Sequence, residues 1–298
     1  MKRASSLTIS SDESTLASSP DLSGQVLCII KENYLHRIVR IGMLLILLLI
    51  VSFNITWAQE IFTPDIKANT AFKDGETLTY QIKYGFVVGG TTTLTLTEDV
   101  YKKNPVFHAV AIGQTTGVAE KLYGVRDIYE SWFDKQTNLP FKQIRNIKEG
   151  HYKKYNVVTY NRSNNTVKSK LSGIHEVPEK ILDLSSTFYY LRRIDFSKIH
   201  EGEVIFVNMF FDDEIFPFHL RYSGKETVKT KFGKIKCIKI CPVVEVGRMF
   251  KSPDDLTIWF TDDDNRLPVM VKMDIRIVGA VFLKLISYEN ILNPFVLE

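Results

Sequence analysis

The sequence predicts an all-β to β-rich α+β fold, a strongly curved antiparallel sheet or open barrel with one main helix packed on it. Three observations carry this. From Phe72 onward, apolar residues recur with a period of two, the signature of strands. The runs are short, and turn-like connections such as those at 103–105, 137–140 and 162–165 join them, so a meander is the economical topology. A single stretch of the exported part, Asp183 to Arg193, carries a strong helical signature.

The elements follow in order. In 76–84, Leu78, Tyr80, Ile82 and Tyr84 face one way while Thr77, Thr79, Gln81 and Lys83 face the other, so one face is buried. Gly85 and the pair Gly89-Gly90 bracket a short segment before the β-branched run 91–97, which reads as a hairpin with a bulge or wide turn. Further strands are expected over 106–115, 127–133, 141–147, 152–160 and 166–171, with a weaker helix over 118–123. The main helix takes Asp183 or Ser185 as its N-cap. It sets Leu184, Phe188 and Leu191 at helical spacing and ends on Arg192 and Arg193, where cations suit the dipole. Strands then resume over 203–211, 215–222, 225–231, 235–244, 256–261, 267–273 and 281–288, and the charged turn from Asp262 to Arg266 marks a hairpin. No internal repeat and no long Pro/Gly linker divides residues 72–292, which are expected to form a single β-rich domain, with 59–71 as a linker.

Upstream, the apolar run Ile41 to Val51 follows His36, Arg37 and Arg40 and leads through Trp57 to Ala58. About eleven unbroken apolar residues fit an export signal better than the ~20 that span a bilayer. Residues 41–58 are therefore expected to be a signal peptide, with an uncleaved signal anchor through 41–57 as the alternative. The exported product is then periplasmic, or held at the membrane. Residues 1–40 are Ser-rich over their first two dozen positions and read as a disordered extension, or as sequence upstream of a true start near Val39.

The formal net charge of +4 and the interleaving of lysines with β-forming residues, as at Lys153, Lys154, Lys168 and Lys170, describe a solvated strand face and give no sign of nucleic acid. Cys28 lies upstream of the apolar run, so the exported part keeps only Cys237 and Cys241. In one strand these stand about 13 Å apart, beyond the ~7 Å reach of a disulfide, and buried thiols are expected. No cysteine directly follows the apolar run, which excludes a diacylglycerol anchor. No metal site and no cofactor is expected.

Candidate chemistry is sparse. His108, His151, His175, His200 and His219 have no nucleophile elbow near them, and no zinc-hydrolase segment exists. His219 falls inside an alternating run and reads as an ordinary strand position. The acidic groups 212–214 and 262–264 lack the glycine and distal glutamate of a calcium loop and read as solvated turns. Asp127 and Glu130 form a carboxylate pair only if the sheet turns both inward.

The aromatic load is more informative. Val204 to Phe211 is apolar on both strand faces, so it is either covered on both sides or lines an apolar cavity. The functional candidate is a pocket for an acyl chain or other apolar ligand, capped by the helix 184–193. Its expected residues are Phe206, Phe210, Phe188 and Tyr189, with Arg192 and Arg193 at the rim for an anionic headgroup.

Several stretches also carry a family resemblance: Gly247 to Lys251, Asp255 to Pro268, Ile277 to Gly279, Leu285 to Tyr288, Gly75 to Tyr80 with the Gly89-Gly90 turn, and Arg126 to Ser131. Over about residues 72–292 this ordered set resembles the exported bacterial domain of unknown function numbered 3108. The resemblance implies an exported, β-rich envelope protein and transfers no catalytic residue. The expected function is non-catalytic binding of an apolar or amphipathic envelope molecule, such as a lipid, or of an envelope partner. A hydrolase acting on envelope glycan or lipid, and a membrane-anchored scaffold, are the alternatives.

Overall fold

The sheet begins in its own middle. In this computed structural model the described residues are 63–243, 252, 254–276 and 279–298. The extension 1–40 and the apolar segment 41–58 lie outside them. Strand β1 (Thr77–Tyr84) pairs on one side with β2 (Val87–Tyr101) and on the other with the last strand, β14 (Gly279–Glu289). From β2 the chain meanders outward through β3 (Asn104–Thr115), β4 (Arg126–Asp134), β5 (Pro140–Glu149), β6 (Tyr152–Asn161), β7 (Thr166–Ser169) and β8 (Gly173–Glu176). A short helix, α1 (Val118–Leu122), sits between β3 and β4. The main helix α2 (Leu184–Leu191) then carries the chain to the opposite edge. A second meander returns through β9 (Val204–Phe211), β10 (Glu214–Thr230), β11 (Gly233–Pro242), β12 (Leu256–Thr261) and β13 (Pro268–Ile275) to β14. Among the described residues the result is a single antiparallel sheet of 14 strands, ordered β8 to β1 and then β14 to β9.

Most expected elements appear within a few residues of their predicted bounds. Two differ for physical reasons. The runs 215–222 and 225–231 are one strand, β10, which crosses the Ser-Gly signal by a register shift between Tyr222 and Lys225, with Gly224 at φ 79. A bulge lets the ladder continue where the turn residues suggested a break. Strand β8 has only four residues, too few to display a period.

Curvature brings the two sheet edges together without a shared ladder. The tight β9–β10 turn, with Asp212 and Asp213 at φ 55 and 69, reaches across to β5, β6 and β7. Arg145 donates to Asp212 at 2.8 Å, Lys154 pairs with the same carboxylate, and Asn156 and Ser169 donate to Asp213 at 2.9 and 2.5 Å. The otherwise free edge of β9 is paired by Leu182, whose N–H donates to the Asn208 carbonyl while its own carbonyl accepts from Phe210. Unpaired edge groups are thereby reduced on the side that carries VIFVNMFF.

Helix α2 lies against the inner face of this curved sheet. Asp183 caps it with a full capping box: its carboxylate accepts from the Ser186 N–H at 2.7 Å, and Ser186 Oγ accepts from the Asp183 N–H at 2.9 Å. Tyr190 and Leu191 pack with Ile205, Leu220 and Ile240 on one side, and Tyr189 packs with Phe72, Phe107 and Phe133 on the other. Each such fully buried side chain contributes roughly 1.5–3 kcal/mol.

The expectation that Arg192 and Arg193 end the helix at an exposed rim is corrected. Both are buried, because residues 63–72 fold back over the helix end. Ile66 bridges Ile194, the Lys67 N–H donates to the Arg193 carbonyl at 3.0 Å, and Tyr190 donates to the Pro64 carbonyl at 2.7 Å. From Thr63 onward, the stretch expected as a linker is thus a docked strap. Beneath it Arg193 bonds Asn138 and the Lys67 carbonyl, while Arg192 bonds Glu76 and the carbonyls of Ala71 and Asn265.

Candidate functional site: an apolar cavity over the helix

The inward rows of β1 to β4 shrink in side-chain size from one end of the sheet to the other. At the level of α2 they carry Leu96, Phe107 and Phe133, which are fully buried. One pair further, Ala109 faces Ser131, then Leu94 faces Ala111, then Thr92 faces Gly113, and Gly90 faces Thr115. Small residues opposite one another cannot fill the concavity of a curved sheet. A cavity of about 590 Å³ remains above the start of α2, floored by Leu184, Ser185 and Phe188 and walled by Ile82, Leu94, Ala111 and Tyr129. This volume lies within the range of small-molecule sites.

Polar groups gather at one side of its mouth. Asp127 lines the cavity, and its carboxylate accepts the Lys148 N–H at 3.0 Å. Burial, and then the neighbouring Asp127 carboxylate, push the Glu149 carboxyl above its ordinary value. Burial raises the Tyr129 hydroxyl, against the pull of Arg145, whose guanidinium lies 5.5 Å from the Tyr129 ring and 4.4 Å from that of Phe211. The cavity can therefore bury hydrocarbon against aliphatic and aromatic carbon and offer a few oriented polar contacts at its edge.

Of the six expected ligand residues, Phe188 lines this cavity. Tyr189 lies beneath it, its ring 4.8 Å from Phe72 and 5.4 Å from Phe133. Phe210 packs elsewhere, with Val158, Tyr160, Val167 and Ile181, and Phe206 stands half-buried beside His219, ring centroids 5.0 Å apart. Arg192 and Arg193 bond protein groups under the strap and are not at the mouth. The cavity residues missed from the sequence had a legible signal, since the inward positions from Gly90 to Leu94 on β2 and from Ala111 to Thr115 on β3 are small except for Leu94.

The remaining polar groups do not converge on the cavity. Asp127 faces inward, but Glu130 lies on the outer face, bonded to His108, which stacks on Trp132 at 4.0 Å. Ser172 and His175 touch at 2.8 Å on the β7–β8 turn. The carboxylate there, Asp213, bonds the serine, the reverse of the order in which a carboxylate orients a general base. Cys237 and Cys241 are free, buried thiols on β11. Among the described residues no group of three or more His, Cys, Asp or Glu side chains is placed to hold a metal. Nor is any helix among them long and apolar enough to cross a membrane.

A family model described as a protein of unknown function, DUF3108, matches residues 79–286. No curated protein sequence matches. Among solved structures, a beta-barrel-like protein of domain of unknown function DUF1849 from Brucella abortus is similar at a TM-score of 0.49 and 10% identity, over 74% of this chain and 99% of that one. A protein from Bacteroides fragilis, provisionally described as exported and with a YmcC-like fold, has a TM-score of 0.33 and 11% identity, over 74% of this chain and 97% of its own. A provisionally described lipoprotein from Parabacteroides distasonis has a TM-score of 0.32 and 9% identity, over 76% of this chain and 100% of its own.

Proposed function

This chain belongs to the DUF3108 family, and we propose that it is a non-catalytic carrier or receptor of the cell envelope that holds the hydrocarbon part of an amphipathic molecule in the cavity over α2. The observation that carries this is the cavity itself, about 590 Å³ walled by Ile82, Leu94, Ala111 and Phe188. Burial of hydrocarbon there contributes roughly 25 cal/mol per Å². Placement in the periplasm is supported by the basic-then-apolar segment ending at Ala58.

The test is saturable uptake of a fluorescent fatty acid, 11-dansylaminoundecanoic acid, by the purified protein, combined with native mass spectrometry for copurifying lipid. Ala111→Trp places an indole in the cavity and is expected to weaken uptake at least tenfold while leaving the fold intact. Absence of both probe uptake and bound lipid overturns the proposal. A hydrolase is favoured only by the Ser172–His175 contact; esterase activity that disappears in Ser172→Ala selects that reading instead.

A further inference from the structure

The cavity opens at one end of the sheet, and three neighbouring turns at that end project apolar side chains. Tyr84, Phe86 and Val87 are exposed on the β1–β2 turn, with Phe86 wholly in solvent. Val118, Leu122 and Tyr123 are exposed on the β3–β4 connection, and Tyr152 follows the β5–β6 turn. Backbone bonds hold these turns together: Thr116 N–H donates to the Gly89 carbonyl at 3.1 Å and Gly150 N–H to the Gly124 carbonyl at 2.7 Å. Tyr123 closes the set by donating from its hydroxyl to the Glu149 carbonyl at 3.1 Å. The same segments supply Gly89, Ala119 and Val125 to the cavity wall, so the apolar tips surround its mouth.

The flanks of these turns are basic. Lys83, Lys121, Arg126, Lys148 and Lys153 stand in them, against Glu120, Asp127 and Glu149. Protruding aromatic and aliphatic tips with cations behind them are the pattern of a surface that lies in the headgroup region of an anionic bilayer. We propose that this end of the sheet seats on an anionic lipid surface, inserting Phe86 and Leu122 below the headgroups and opposing Lys83 and Lys121 to lipid phosphates. The proposal rests on the cavity reading for what passes across: hydrocarbon leaving the bilayer at this end enters an apolar mouth without crossing water.

The test uses the full chain, with reporters local to the face, so that the apolar segment 41–57 is a constant background. Phe86→Trp and, at the far end of β2, the exposed Val100→Trp are mixed with phosphatidylglycerol vesicles bearing dibrominated chains. Quenching in excess of that of the parent chain, whose Trp57, Trp132 and Trp259 supply the background, is expected for position 86 and not for position 100. Lys83→Glu with Lys121→Glu in the Phe86→Trp background is expected to raise the lipid concentration needed for half-quenching about tenfold or more at low salt. No excess quenching at position 86, or equal quenching at both positions, overturns the proposal. Fatty-acid uptake without vesicles is measured in parallel on the same protein. Uptake with an unquenched position 86 refutes lipid docking alone, while quenching without uptake supports docking and refutes the cavity reading.

Discussion

Arg192 donates to both carboxylate oxygens of Glu76, at 2.5 and 2.8 Å, and neither side chain has any exposed surface. The pair ties the end of α2 to the first residues before β1, positions 116 apart in the chain. Burial alone would pull the arginine's pKa down, but Glu76 outweighs it and holds the guanidinium above its ordinary value. Two further guanidinium N–H groups reach the Ala71 and Asn265 carbonyls, so each of the three nitrogens has a partner.

Arg192→Met is therefore expected to destabilise the protein by about 3–5 kcal/mol, because it leaves a buried carboxylate without a partner. Glu76→Leu removes the counter-charge and leaves the guanidinium unpaired, and is expected to be similarly harmful. The double change Arg192→Met with Glu76→Leu is expected to recover much of the loss, since an apolar pair of similar volume does not carry the desolvation cost. Urea denaturation midpoints of the three variants check this. A double variant as unstable as the sum of the two single changes contradicts it.

The two adjacent glycines of β2 predict opposite tolerance. A Cβ on Gly90 would sit 2.4 Å from the Gln114 carbonyl oxygen, a backbone atom held in the β2–β3 ladder, whereas at Gly89 the nearest atom is 3.9 Å away. Gly90→Ala is expected to cost about 2 kcal/mol by overpacking and to disturb the cavity mouth. Gly89→Ala is expected to be within about 0.5 kcal/mol of neutral. Thermal unfolding of the two variants decides.

Thiol accessibility reports on the second meander. Cys237 is wholly buried among Tyr80, Val228 and Trp259, and burial, reinforced by Asp263, Glu226 and Asp262, pushes its thiol up to about 12. Cys241 is buried on the same strand, its sulfur 3.8 Å from Thr257 Oγ1. Neither is expected to react with a disulfide reagent in the folded protein, and both should react as urea unfolds it. Fast labelling of Cys237 under native conditions would show that β11 opens locally.

The strands were legible because one face of each is buried, which writes period two into β1, β3, β4 and β12. The pairing of β1 with β14 was not legible, since it joins residues such as Leu78 and Tyr288 at opposite ends of the domain and leaves no local mark. The place of the arginines was misread for a related reason. Arg192 and Arg193 look like exposed dipole partners until the strap at 63–72 and Glu76 are brought in from over a hundred residues away. Phe210 was read as a cavity residue from its two-faced strand, yet what covers it is the far edge of the same sheet, through Val158 and Val167. Phe188, four residues from Leu184 in the helix, lines the cavity together with it.

Asp183 couples stability to pH. It caps α2, is fully buried, and accepts from Ser131 Oγ at 2.5 Å. Burial raises its pKa from 3.8 to about 6, against the bonds from Ser131 and Ser186 and the charge of Arg162. Between about pH 4 and pH 6 the unfolded chain has released this proton while the folded chain still holds it. Folded protein binds the extra proton, so stability falls as pH rises through that window, by up to about 3 kcal/mol for a shift of this size. Asp195 works in the opposite sense, held down to about 2 by Ser197 and Lys67, but its contribution is lost only below about pH 4 and lies outside the window. Asp183→Asn keeps a good capping side chain and removes the titration. The variant is expected to match or exceed the parent's stability at pH 7 and to lose that advantage by pH 4. Unfolding free energies of both proteins at pH 4, 5, 6 and 7 measure the difference; parallel curves would show that Asp183 ionises in the fold as it does in water.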